Sequence, residues 1–134
     1  VTADHKRTIA GLSALGIGPW RIYTCGPHNT TAQTYHRQSS NFTLKFCYAA
    51  ITPNDPSSMI YEVIQPISGP TIFQGFLDKQ GEGIHHIAYD CNGISMEERV
   101  QGFKERGFEC VQSGKWMVGG VSEFAFFENP TQGP

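Results

Sequence analysis

The same order of elements is written twice in this chain, and few folds accommodate that. Val1 to Ala3 read as the tail of a strand, and Asp4 is an N-cap for a helix over residues 5–15. In that helix Ile9, Leu12 and Leu15 recur at helical spacing, and Gly16 closes it. The pattern returns from Ile84 as a strand, then a helix capped by Ser95 with Glu98 three residues on, ended by Gly107. Its Met96, Val100 and Phe103 are expected to face the core. The helix ends read alike, Leu15-Gly16-Ile17 against Arg106-Gly107-Phe108. A period of roughly 80 residues is too long for a solenoid. It fits two βαβββ halves related by a pseudo-twofold axis, and the mixed order makes the class α+β.

Strands are expected over 20–25, 42–49 and 58–65 in the first half, the last ended by Pro66, and over 108–113 and 123–127 in the second. Residues 26–41 are polar and turn-rich, too long for a hairpin loop, and read as a mobile segment or a cover. A turn is expected at Pro53-Asn54-Asp55-Pro56 and another at Gly119-Gly120. A short helix over 71–79 carries an apolar stripe of Ile72, Phe73, Phe76 and Leu77. The halves then run 1–66 and 84–134, with 67–83 linking them in one domain.

The stretch Gly81-Glu82-Gly83-Ile84-His85-His86-Ile87-Ala88-Tyr89-Asp90 opens the second half and reads as a strand. Alternation puts His86, Ala88 and Asp90 on one face, with His85, Ile87 and Tyr89 on the other. An imidazole beside a small residue suits a metal ligand or a pocket wall, and equally a structural histidine pair. Composition narrows the partners. A net charge of −2 and a pI near 6.2 leave no electrostatic footprint for nucleic acid. No run reaches the length of a membrane span and no signal peptide is read at the start, and a cytoplasmic protein is expected because the cysteines read as reduced. Cys25, Cys47, Cys91 and Cys110 form no C-x-x-C pair and read as reduced. Asn29-Thr30-Thr31 and Asn41-Phe42-Thr43 match the glycosylation pattern, a weak signal.

With the doubled pattern and the His-His stretch in place, the chain resembles the vicinal oxygen chelate superfamily, nearest its glyoxalase I and methylmalonyl-CoA epimerase-like branch. The likeness is strongest from Tyr61 to Asp90: an acidic residue in a strand running into a proline, Tyr61-Glu62-Val63-Ile64-Gln65-Pro66, then Gly69-Pro70-Thr71-Ile72-Phe73-Gln74-Gly75-Phe76-Leu77, then the histidines. Leu15-Gly16-Ile17-Gly18-Pro19-Trp20 is also similar to a run seen in that superfamily. The resemblance implies two modules forming a cup-shaped mixed sheet around a divalent metal. Its ligands come from the first and last strand of each half. By motif, Glu62 and His86 are two of them; the other two fall on terminal strands that this sequence is expected to lack.

What the resemblance implies chemically is a small-molecule enzyme, commonly a homodimer. A carboxylate and an imidazole suit Zn²⁺, Fe²⁺, Mn²⁺, Co²⁺ or Ni²⁺. The metal would stabilise an enolate or enediolate, with Glu62 as proton shuttle, in an isomerase, epimerase or lyase. Two alternatives stand beside it: a metal-free binding protein of the bleomycin-resistance type, and a ring-cleaving dioxygenase. Lys45, Trp20 and Trp116 are the expected substrate-binding residues. His28, Tyr35 and His36 lie in the long polar segment and can close over the cup; His5 reads as helix surface and Asp90 as a turn or cap residue.

Overall fold

A computed structural model describes residues 1–131. Residues 132–134, the end of the expected second half, lie outside the described residues. Helix α1 spans His5–Ala14 and starts where the Asp4 carboxylate accepts hydrogen bonds from the Lys6 and Arg7 amides. It stops at Gly16 (φ +86°), where the Gly16 and Ile17 amides donate to the Ser13 and Leu12 carbonyls. Helix α3, Met96–Glu105, stops in the same way at Gly107 (φ +84°), with the Gly107 and Phe108 amides donating to Lys104 and Phe103. Both ends are left-handed C-caps in which the amide pair satisfies free helix carbonyls. The matching Gly tripeptides are therefore matching caps, and the doubled pattern has a structural cause. Ser95 and Glu98 form the expected capping box.

Among the described residues, seven strands make two antiparallel sheets. Strands β1 (Arg21–Cys25), β4 (Thr43–Ala50) and β5 (Ile60–Ser68) form one, in the order β1-β4-β5. The second holds β2 (Thr30–Tyr35), β3 (Gln38–Ser39), β6 (Glu109–Trp116) and β7 (Ser122–Glu128), in the order β3-β2-β6-β7. Helix α2, Ile72–Gln80, joins the halves; the Thr71 side chain caps it, and its Phe73 is fully buried. Cys25, Phe42, Leu44, Phe46, Ile64 and Phe73 form the core, with Trp116, Phe124 and Phe126 of the second sheet packed against them. Each fully buried aliphatic or phenyl side chain there contributes about 1.5–3 kcal/mol. Helix α1 packs on the outer face of the first sheet, where the His5 amide donates to the Gln65 side chain. Helix α3 packs on the outside of the second sheet, with Phe103 stacked on Phe127 at 4.3 Å between centroids. Its expected core residues, Met96, Val100 and Phe103, are half-buried.

Three expectations need correction. Residues 84–90 are not a strand: among the described residues no ladder includes them, and Ile84, Ile87 and Tyr89 are 87%, 78% and 82% exposed. Alternation permits a strand, but only a neighbouring strand makes one, because the backbone groups must find cross-strand partners. The segment 26–41 is no open loop, since β2 and β3 lie within it and β2 joins the second sheet beside β6. Its polarity misleads because its contacts are hydrogen bonds. The buried Gln33 side chain accepts from the Phe42 amide at 3.0 Å and donates to the Phe42 carbonyl at 2.9 Å, and the Thr34 and Ser113 hydroxyls meet at 2.7 Å. Finally, Pro66 does not end β5. The register steps from Leu44↔Pro66 to Thr43↔Ser68, so a bulge falls beside the residue that lacks an amide proton.

Candidate functional site

Strand register decides which side chains share a face. Tyr48 on β4 stands directly opposite Glu62 on β5, and Phe46 stands opposite Ile64. With two-residue alternation, Leu44, Phe46, Tyr48, Glu62 and Ile64 all point to the inner side of the first sheet. Phe46 and Tyr48 lie parallel, 6.0 Å apart with 2° between their planes, and make an aromatic floor beside the carboxylate.

His86 reaches this floor from the other side. Gly81 (φ +78°) ends α2, and the chain then exchanges two hydrogen bonds between Gly83 and Val1. Past that clamp, His86 Nε2 lies 2.8 Å from Glu62 Oε2, the two side chains about one-fifth exposed. Phe73 and Phe126 flank the His86 ring at 6.0 and 5.0 Å. His85 packs on Phe73 and Phe76, and its Nδ1 is 3.1 Å from Nδ1 of His86. Burial, reinforced by the His86 charge, lowers the His85 pKa to about 4. His85 is therefore neutral at pH 7, and its Nδ1 stands within hydrogen-bond distance of the His86 ring.

Tyr48 completes the group. Burial first, then the Glu62 charge and a hydrogen bond to Glu62, push its phenol far above the usual range, so it remains an O–H donor. Glu62 is thus served by a phenol from its neighbouring strand and an imidazole from beyond α2. A 2.8 Å gap between nitrogen and oxygen is hydrogen-bond distance, and it also matches two ligands at right angles, each about 2.0 Å from one ion. Carboxylate oxygen with imidazole nitrogen is a donor set for borderline divalent metals. Among the described residues no third His, Cys, Asp or Glu joins these two.

The other expected residues scatter. Trp116 is on the inner side, stacked on Phe46 at 6.2 Å and set edge-on to Tyr23 at 5.0 Å. Lys45 and Trp20 lie on the opposite, α1-bearing face. Lys45 donates to Thr24 Oγ1 at 2.6 Å; Trp20 donates to the Ile17 carbonyl at 3.0 Å and rests edge-on to Tyr61. His28 is exposed near the start of β2, Tyr35 ends β2 opposite Gln38, and His36 begins the β2–β3 turn at the sheet edge. His5 Nδ1 lies 2.6 Å from the Gln65 side-chain oxygen, and Asp90 accepts from the Asn92 amide as a turn residue. An open groove of about 940 Å³ along α3, lined by Glu97, Glu98, Glu105, Lys115 and Glu123, holds none of the candidates. Tyr48 falls in the strand expected over 42–49, but sequence reasoning did not single it out. The signal was there, since its hydroxyl is the one polar tip on the Phe42, Leu44, Phe46, Tyr48 face.

No helix of the described residues is long and apolar enough to cross a membrane. Over residues 1–126 the chain matches the family described as the Glyoxalase/Bleomycin resistance protein/Dioxygenase superfamily. It is also similar to uncharacterized protein YqjC of Bacillus subtilis (strain 168), 33% identical over 54 residues. That match takes in 40% of this chain and spans 37% of the relative's length. A family match over most of the chain, on two antiparallel sheets that share one core, makes this protein a member of the Glyoxalase/Bleomycin resistance protein/Dioxygenase superfamily.

Proposed function

We propose that the protein is a metal-dependent isomerase, epimerase or lyase of the glyoxalase-like type, acting on a small carbonyl compound. The observation that carries this reading is the convergence of Glu62 and His86 at 2.8 Å over an aromatic floor. Those two residues would hold the ion, of Zn, Fe, Mn, Co or Ni type. Bound there, it supplies Lewis acidity, lowering the cost of negative charge on a substrate carbonyl oxygen. The chain's own groups do the rest. Glu62 takes a proton from the carbon beside the carbonyl at a carboxylate oxygen and returns it. The Tyr48 hydroxyl, kept protonated by burial and by Glu62, orients that carboxylate. His86 is held in one rotamer by Phe73, Phe126 and the His85 nitrogen. Phe46, Tyr48 and Trp116 cover an apolar part of the substrate and exclude water. Within this proposal the protein works as a cytoplasmic homodimer on a small-molecule substrate.

Plasma mass spectrometry of the purified protein, alongside His86→Ala, tests the reading. About one divalent ion per chain in the wild type, lost in the variant, is the expected result. A wild type that takes up none of the five metals sinks it. The aromatic floor favours a second reading, metal-free binding of a flat apolar ligand. Ligand affinity unchanged by chelator would support that one.

A further inference from the structure

The row that contains Tyr48 and Glu62 has a third member. Arg21 on β1 is the cross-strand partner of Tyr48, so Arg21, Tyr48 and Glu62 stand side by side across the three strands. All three project from the same inner face, because each is in direct register with the next. The row runs cation, phenol, carboxylate. Two strand spacings separate its ends, about 10 Å between the Arg21 and Glu62 backbones. Arg21 is exposed, and among the described residues its guanidinium has no carboxylate partner and no hydrogen bond. Arg7, Arg37 and Lys115, by contrast, are all paired with glutamates.

We propose that Arg21 binds an oxyanion on the substrate, so that the substrate class is a carbonyl compound carrying a carboxylate or phosphate at the far end from the reacting carbon. The proposal rests on Glu62 and His86 being the reacting end of the site. A flat molecule lying on the Tyr48 and Phe46 rings is long enough to reach both ends of the row. Its anionic end is attracted by Arg21, whose planar fork matches an oxyanion in two bonds, while the carbonyl lies at the Glu62 and His86 end. The bidentate fit to Arg21 at one end and the proton-transferring carboxylate at the other therefore set which way round the substrate lies. Trp20, the adjacent residue, points to the outer face and has no part in this.

Ligand-observed NMR titration with three probes tests it: 4-acetylbenzoate, 4-acetylphenyl phosphate and the neutral 4-acetylbenzamide. Each has a ketone at one end of a ring. The wild type is expected to bind the tighter of the two anions about fivefold better than the amide, the upper end for an ion pair open to solvent. The preference should disappear in Arg21→Gln, persist in Arg21→Lys, and shrink as salt is added. Whichever anion binds better assigns carboxylate or phosphate. No binding of any probe, no preference in the wild type, or a preference that survives Arg21→Gln overturns the proposal. His86→Ala separates the two readings. A metal-free wild type in which the anion preference persists, with His86→Ala unchanged, would leave Arg21 as the anchor and remove the metal chemistry.

Discussion

Burial and a neighbouring carboxylate act in the same direction on Tyr48. Its hydroxyl is withdrawn from water and faces Glu62, so ionising it would place two negative charges side by side. The phenol therefore stays protonated as pH passes its ordinary value of 10. An absorbance titration checks this: Tyr48→Phe should leave the tyrosinate signal that develops before unfolding unchanged, whereas a freely titrating residue would take its share away. The same substitution removes one donor from a charged acceptor that keeps His86, and should cost about 1–2 kcal/mol in denaturant unfolding. At this scale the sequence was partly legible. Glu62 and His86 were picked out by a motif. Tyr48 and Arg21 were not, because their roles depend on which residues face each other across strands, and register is not written in any local pattern.

Elements were legible where their determinants are local. The caps of α1 and α3 are set by a glycine and hydrogen bonds reaching back no more than five residues, and each could be read directly. Strand β2 is the contrary case: its partner β6 lies about 80 residues on, and its inward groups are Thr and Gln. The 84–90 segment errs in the other direction, having strand composition without a neighbour. Glycine shows the same contrast between local and non-local control. Gly69, at φ +80° after β5, has the Asn41 carbonyl oxygen where a Cβ would come within 2.1 Å. Gly69→Ala should destabilise by about 2 kcal/mol or more, since backbone on both sides must shift. Gly11, inside α1 with nothing within 4 Å, should tolerate alanine and gain about 0.5–1 kcal/mol. Paired chemical denaturation curves give both signs; a harmless Gly69→Ala would refute the close approach.

For the whole molecule, the joint between the halves centres on Glu82. Its carboxylate accepts from the Thr2 hydroxyl at 2.7 Å and the Ala3 amide at 2.8 Å, and pairs with Arg7. The Thr2 hydrogen bond, then the Ala3 amide, hold its pKa below the ordinary 4.5. A depressed carboxylate pKa stabilises the fold fully above the unfolded-state value, and that stability is lost as pH falls through the native one. Glu82→Gln should therefore melt below the wild type at pH 7, with the gap closing as pH is lowered below the ordinary 4.5. Parallel melting curves across that range would show no convergence if Glu82 were idle. The β2–β3 hairpin ties the halves together more deeply, because it leaves the first sheet's stretch of chain to complete the second. During synthesis the three strands of the first sheet can pair as soon as β5 is made. Strand β2 must then wait, one edge unfilled, until β6 emerges some 80 residues after it. Closing so long a loop is slow, so assembly of the second sheet sets the pace of folding. A chain cut between β5 and α2 would leave one fragment with a stranded hairpin and the other with only two strands of a sheet.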